Sequence, residues 1–278
     1  MTLTAAPELD ELRREVDRID RSIIELLAAR LRVVTEIAQV KGAGPGQLAL
    51  RPAREALIMR RLVDGRAGDF PKAALLRMWR ELLGAMTRVQ SPLAVATWLP
   101  PGMPELRDMV RDHFGSLAPL LPADGPADAL RLAARGTAQV AVLPLPAGEE
   151  RWWAALLGGA AGDLRVVSRL PFAPLPGYPE AVGAFVLAPL EPEPSGDDLT
   201  LLLVEADGTV GAARLVELLA PLTPRVLASH REGGTARHLV EVAGFLPPCD
   251  PRLGARGPLL RVAVAGCYAR PLAAAELA

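Results

Sequence analysis

Residues 9–41 read LDELRREVDRIDRSIIELLAARLRVVTEIAQVK. Apolar side chains fall at Leu9, Leu12, Val16, Ile19, Ile23, Leu26, Val33, Ile37 and Val40. Their steps of three and four predict one long helix with a continuous apolar seam. Arg30 interrupts that seam where the pattern asks for a core residue. A lone guanidinium buried in a helical interface is too costly to keep. Three readings follow: a carboxylate from a neighbouring helix pairs with it, the seam stops at Leu26 and restarts, or the charge serves a small anion inside a helix bundle. At 1.5 Å per residue the helix is roughly 50 Å long, too long for a compact three-helix monomer. A second chain is therefore expected to cover the exposed half of the seam.

The flanking sequence agrees with this reading. Glu8, Asp10 and Glu11 suit the positive end of a helix dipole, and Gly42-Ala43-Gly44-Pro45-Gly46 ends the helix. A second helix is expected from Arg51-Pro52, with Leu57, Ile58, Leu62 and Val63 inward. A third opens at Pro71 and carries Leu75, Leu76, Trp79, Leu82, Leu83, Met86 and Val89 to Ser91-Pro92. Arg30 and Lys41 lie close to three full turns apart, on one face and roughly 16 Å from each other along the axis. Arg13 lies roughly 25 Å before Arg30, so it cannot share a site with Lys41 in the same chain. In an antiparallel dimer it could reach the partner's site.

Composition narrows the class. A net charge of -1 over 278 residues argues against a nucleic-acid partner. Cys249 and Cys267 form no metal-type cluster and are expected to be reduced thiols. The opening MTLTAAPELDEL lacks a basic stretch followed by an apolar run and is not expected to act as a signal peptide, and no apolar run is long enough for a membrane helix. The expectation is a cytoplasmic protein with no membrane partner, no metal and no cofactor. Lys41 and Lys72 are the only lysines among many arginines, which suggests that an ammonium was wanted at Lys41.

The residues Leu12-Arg13, Ile19-Asp20, Leu26-Leu27-Ala28-Ala29-Arg30, Lys41, Arg54-Glu55 and Gln90 resemble the all-helical (AroQ-type) chorismate mutases over residues 8–90. The resemblance implies an intertwined homodimer acting on chorismate, with Arg13 donated by the partner chain. It implies that Arg30 and Arg13 clamp the two carboxylates and that Arg54 supports the clamp. Lys41 and Gln90 would donate to the ether oxygen, and Glu55 would hold the ring hydroxyl. Taken singly, Arg54-Glu55 could be a solvated helix start, Gln90 a polar helix end, and Arg13 a surface residue. Asp20 reads as structural, a buried salt-bridge partner. Two positions depart from the family pattern: Arg51 stands where an acid is common, and Met86 where a hydroxyl is common.

From Ser91 the texture changes. Strands are expected at Leu93–Thr97, Ala138–Leu143, Leu164–Ser168 and Ala184–Leu187, with helices at Pro104–Phe114 and Asp128–Arg135. This stretch faintly resembles one lobe of prephenate dehydratase. The family's Thr-Arg-Phe strand aligns with Gly183-Ala184-Phe185, and its Val-Pro-Ile-Glu-Asn-Ser strand with Val142–Pro146. Both lose their polar groups, so dehydratase chemistry is not expected. Glu191-Pro192-Glu193-Pro194-Ser195-Gly196 is a linker by composition. Beyond it, strands at Leu201–Val204, Pro224–Ala228 and Leu260–Val264, with a helix at Gly211–Leu219, resemble an ACT regulatory domain. That resemblance implies an aromatic amino-acid effector. Ala228-Ser229-His230-Arg231 keeps little of the family's Glu-Ser-Arg-Pro motif, so a purely structural dimerisation domain is preferred and a degenerate effector site is the alternative.

The expected fold is thus multi-domain: an all-α, intertwined dimeric domain at 1–91, an α/β domain at 92–190, and an α+β, ACT-like domain at 197–278. The expected function is a chorismate mutase. Its rivals are a bifunctional chorismate mutase–prephenate dehydratase and a non-catalytic dimer that binds aromatic metabolites.

Overall fold

The computed structural model describes residues 9–40, 48–65, 68–148, 150–157, 161–174, 177–179, 182–254 and 257–277. Helix α1 (Leu9–Val40) is one unbroken rod. It is followed by α2 (Pro52–Asp64) and α3 (Lys72–Gln90). The three helices arise where the periodicity places them. Pro52 occupies the first turn of α2, where a missing N–H costs nothing.

Strand β1 (Val95–Thr97) then leads through α4 (Glu105–Phe114), β2 (Leu120–Pro122) and α5 (Pro126–Ala134) to β3 (Val140–Pro144). Strands β4 (Arg165–Leu170), β5 (Ala184–Ala188) and β6 (Asp198–Asp207) follow. Helix α6 (Ala212–Leu218) precedes β7 (Arg225–Glu232), β8 (Thr235–Ala243) and β9 (Leu259–Ala269), and α7 (Ala274–Leu277) ends the described chain. Among the described residues nine strands form one sheet in the order β2-β1-β3-β5-β4-β9-β6-β8-β7. Strands β1, β2 and β3 pair in parallel, β5 runs antiparallel to β3 and β4, and β6 to β9 form an antiparallel set. A helical N-terminal region therefore precedes one large mixed sheet.

Central strands β3 and β5 are buried at every position, which explains their uninterrupted apolar runs. The two portions of the sheet meet where β4 lies parallel to β9, at Val166 and Gly266. A Cβ at Gly266 would lie 2.1 Å from the Val166 carbonyl oxygen, so only glycine allows that approach.

Strand β8 is absent from the sequence expectation because polar residues break its pattern. His238 is buried beside Ser229 Oγ, 2.7 Å from Nδ1. Glu241 is buried and accepts from the Tyr268 hydroxyl. These contacts from other strands engage Glu241 and the Nδ1 of His238, whose Nε2 has no partner among the described residues, so both side chains sit in the interior without an apolar signature. The short edge strand β2 was missed as well.

Helices α2 and α3 dock on the sheet side through Ala56, Met59, Leu76, Leu83, Phe172 and Leu272. Helix α3 also packs closely on α4. A Cβ built on Gly84 would stand 2.1 Å from the Phe114 carbonyl oxygen. Gly84→Ala must therefore push α3 and α4 apart, and a loss of about 1–3 kcal/mol is expected in urea unfolding. An unchanged midpoint would show that the helices separate at no cost.

Helix α1 is different. None of its residues is buried, and Leu12, Val16, Ile19, Ile23, Leu26 and Ile37 are all exposed. No described helix is long and apolar enough to cross a membrane.

Candidate active site

Where α1 passes α2 and α3, the three helices enclose an open cleft of about 460 Å³. Arg30 enters from α1, Arg54 and Glu55 from the first turns of α2, and Thr87 and Gln90 from the last turns of α3. Four of the six residues singled out in the sequence thus come together. The cleft's apolar lining includes Ile37, Leu83 and Met86.

Arg30 is half-buried, and among the described residues no ion pair or hydrogen bond reaches its guanidinium. Its Nη1 is fully shielded without a partner. Burial holds its pKa below the usual guanidinium value. The buried carboxylate that lines the same cleft is occupied elsewhere. Glu55, 8% exposed, accepts from Arg80 Nη1 at 2.9 Å through Oε2. Burial pushes the Glu55 carboxyl up and the Arg80 guanidinium down, each opposed by the charge of the other. The guanidinium of Arg80 also lies over the Phe172 ring, 5.4 Å from its centroid. Of the alternatives for Arg30, a helix-to-helix ion pair is therefore excluded among the described residues; Arg80 has taken that role.

Gln90 Nε2 donates to the Met86 carbonyl at 2.9 Å, which folds the amide against the end of α3 beside the cleft. Thr87 is buried there, one position after the methionine that stands where the pattern has a hydroxyl. Arg13 is exposed and paired with Asp10 at 3.1 Å, far from its own chain's cleft on a continuous helix. Asp20, expected as a buried salt-bridge partner, is instead exposed on α1 in this chain, whose helix buries none of its residues. Lys41 lies outside the described residues.

Sequence reasoning missed Arg80 and Glu193. Arg80 was legible in principle, because it falls four after Leu76 and three before Leu83 on the buried stripe, the same anomaly that exposed Arg30. Glu193 had no local signal. Its segment, a linker by composition, is held as a strap across the cleft. Arg60 donates to the Ser195 and Asp197 carbonyls at 3.0 and 2.6 Å, and Asp198 accepts from the Ser195 amide at 2.9 Å. Among the described residues no group of His, Cys, Asp or Glu side chains could hold a metal ion. The cleft offers guanidinium and amide donors around an apolar floor. That set suits a small, rigid anion better than it suits nucleophilic chemistry.

Residues 12–91 match the family described as Chorismate mutase type II. The intracellular chorismate mutase of Mycolicibacterium smegmatis is 35% identical over 85 residues, 30% of this chain and 81% of that protein. A bifunctional chorismate mutase/prephenate dehydratase of Pseudomonas aeruginosa is 27% identical over 142 residues, 50% of this chain and 39% of that protein. The chain thus spans well under half the length of that bifunctional relative. Among solved structures, a prephenate dehydratase from Arthrobacter aurescens in complex with L-Phe has a TM-score of 0.46 at 18% identity, covering 64% of this chain and 90% of that one.

Proposed function

The chain belongs to the chorismate mutase type II family, and we propose that it rearranges chorismate to prephenate in the cleft between α1, α2 and α3. The observation that carries this reading is the shielded, unpartnered Nη1 of Arg30 at that cleft. The rearrangement is a one-step pericyclic shift, so it needs no nucleophile or general base. A site can accelerate it by holding the compact reactive conformer and by stabilising charge as the ether bond breaks. Arg30 binds one carboxylate, with Arg54 beside it. Gln90, with Lys41 from the segment after α1, donates to the ether oxygen. Glu55, its charge balanced by Arg80, accepts from the ring hydroxyl, and Thr87 supplies the nearby hydroxyl.

The active form in this reading is an intertwined homodimer. The exposed apolar seam of α1 supports it, because a stripe of that length in water favours a second amphipathic surface. An antiparallel copy would bring the partner's Arg13 towards this cleft. Mixing Arg13→Ala with Arg30→Ala subunits should then regenerate activity, up to about one native site per two in the mixed dimers. No rescue despite proven subunit exchange would rule out the shared site.

We read residues 92–190 as a reduced dehydratase-like domain and 197–278 as an ACT-like domain. The order β6, α6, β7, β8, β9 is consistent with the latter. The effector this reading implies is an aromatic amino acid.

The experiment that tests the main reading is chorismate consumption by the purified chain, with the product identified. Prephenate formation establishes the mutase. Phenylpyruvate would restore the dehydratase to the middle domain, and no consumption by a folded protein would refute the reading.

A further inference from the structure

The strap between β5 and β6 brings a carboxylate from outside the three helices to the cleft. Glu193 and Pro194 line it together with Arg51. Both Glu193 oxygens accept from Arg51 Nη2, at 2.7 and 3.0 Å. The strap cannot swing freely. Beyond Glu193, Arg60 and Asp198 grip Ser195, which is 2% exposed; before it, Arg165 Nε donates to Glu191 at 3.2 Å. On the far side of the Arg51–Glu193 pair lies a second cavity of about 180 Å³, bordered by Arg51, Glu193, Val167 and Tyr268. Arg51, Ala53 and Glu193 border both cavities.

We propose that Glu193 is a specificity-determining residue that sets the affinity of the cleft for dianions. Its carboxylate repels an anionic ligand at the mouth, and it engages Arg51, which borders the same cleft and would otherwise attract that ligand. The two charges cancel, leaving Arg30 and Arg54 to set the attraction. Chorismate and prephenate are both dicarboxylates, so the effect acts on ground-state binding of substrate and product alike. The pair is about half exposed, so solvent and salt screen its influence.

This inference rests on the mutase reading. Its test is steady-state turnover of chorismate and calorimetric titration with prephenate, on the full chain. Glu193→Gln removes the charge at constant volume, and thermal unfolding checks that the strap holds. At low salt KM and the prephenate dissociation constant should fall together by about threefold to tenfold, without a rise in kcat. Arg51→Ala should raise both, and the double variant should return towards the parent. Added salt should narrow all these gaps.

A Glu193→Gln protein whose prephenate affinity equals or falls below the parent's overturns the proposal, as does a change confined to kcat. Parent protein that binds prephenate without consuming chorismate refutes the mutase reading alone, and the affinities of the variants still decide the role of Glu193. Absence of prephenate binding by parent and variants overturns the proposal.

Discussion

Arg30→Ala should lower kcat/KM for chorismate by about 10²- to 10³-fold, the usual cost of removing one preorganised charge-stabilising donor. The same substitution should leave stability unchanged or raised. Within the chain the guanidinium has a shielded, unpartnered nitrogen, and burial already disfavours its charge. Alanine removes that penalty and is the best helix former, so α1 should keep its helicity. Activity and stability therefore move in opposite directions, a combination that mere structural damage does not produce. Thermal scans with prephenate add a second check: the ligand should raise Tm in the parent and do so much less in the variant. Full turnover by Arg30→Ala would eliminate the clamp.

Arg80→Met should destabilise the chain by about 3–5 kcal/mol, since it strands the buried Glu55 carboxylate. Replacing both partners, as in Glu55→Leu with Arg80→Met, should recover much of that loss, because apolar groups of similar volume need no desolvation. The pH dependence has a definite sign. Burial raises the folded-state pKa of Glu55, and the Arg80 charge is what opposes the rise. In Arg80→Met that opposition is gone, so the folded value climbs further above the unfolded one. Such a group costs nothing below its unfolded pKa and destabilises as pH rises through its folded pKa. The variant should therefore approach the stability of the parent on acidification and diverge from it towards neutral pH. A pH-independent difference in urea midpoints would show that Glu55 does not carry the effect.

The helical first third of the chain was largely readable. Leu9 to Val40 repeats with helical period, and each helix ends within a residue or two of its glycine or proline signal. Arg30 stood out because a charge on an apolar seam violates the local pattern. Arg80 interrupts the buried stripe of α3 in the same way. In the sheet, β3 and β5 declared themselves as apolar runs, whereas β8 did not. His238 is met by Ser229 on the adjacent strand β7 and Glu241 by Tyr268 on β9, two strands away, and a single strand cannot show what the others donate.

Periodicity along one segment therefore determined the three helices, the buried strands and the suspicion attached to Arg30, because those features depend on burial repeating within a few residues of chain. Tertiary structure alone decided the rest. It chose Arg80 rather than Arg30 as the partner of Glu55, joined β4 to β9 through Gly266, and turned a proline-rich linker into a strap that sets Glu193 beside Arg51. Each of these pairings joins groups far apart in sequence, and their energies depend on distance and dielectric in three dimensions, which local patterns do not encode.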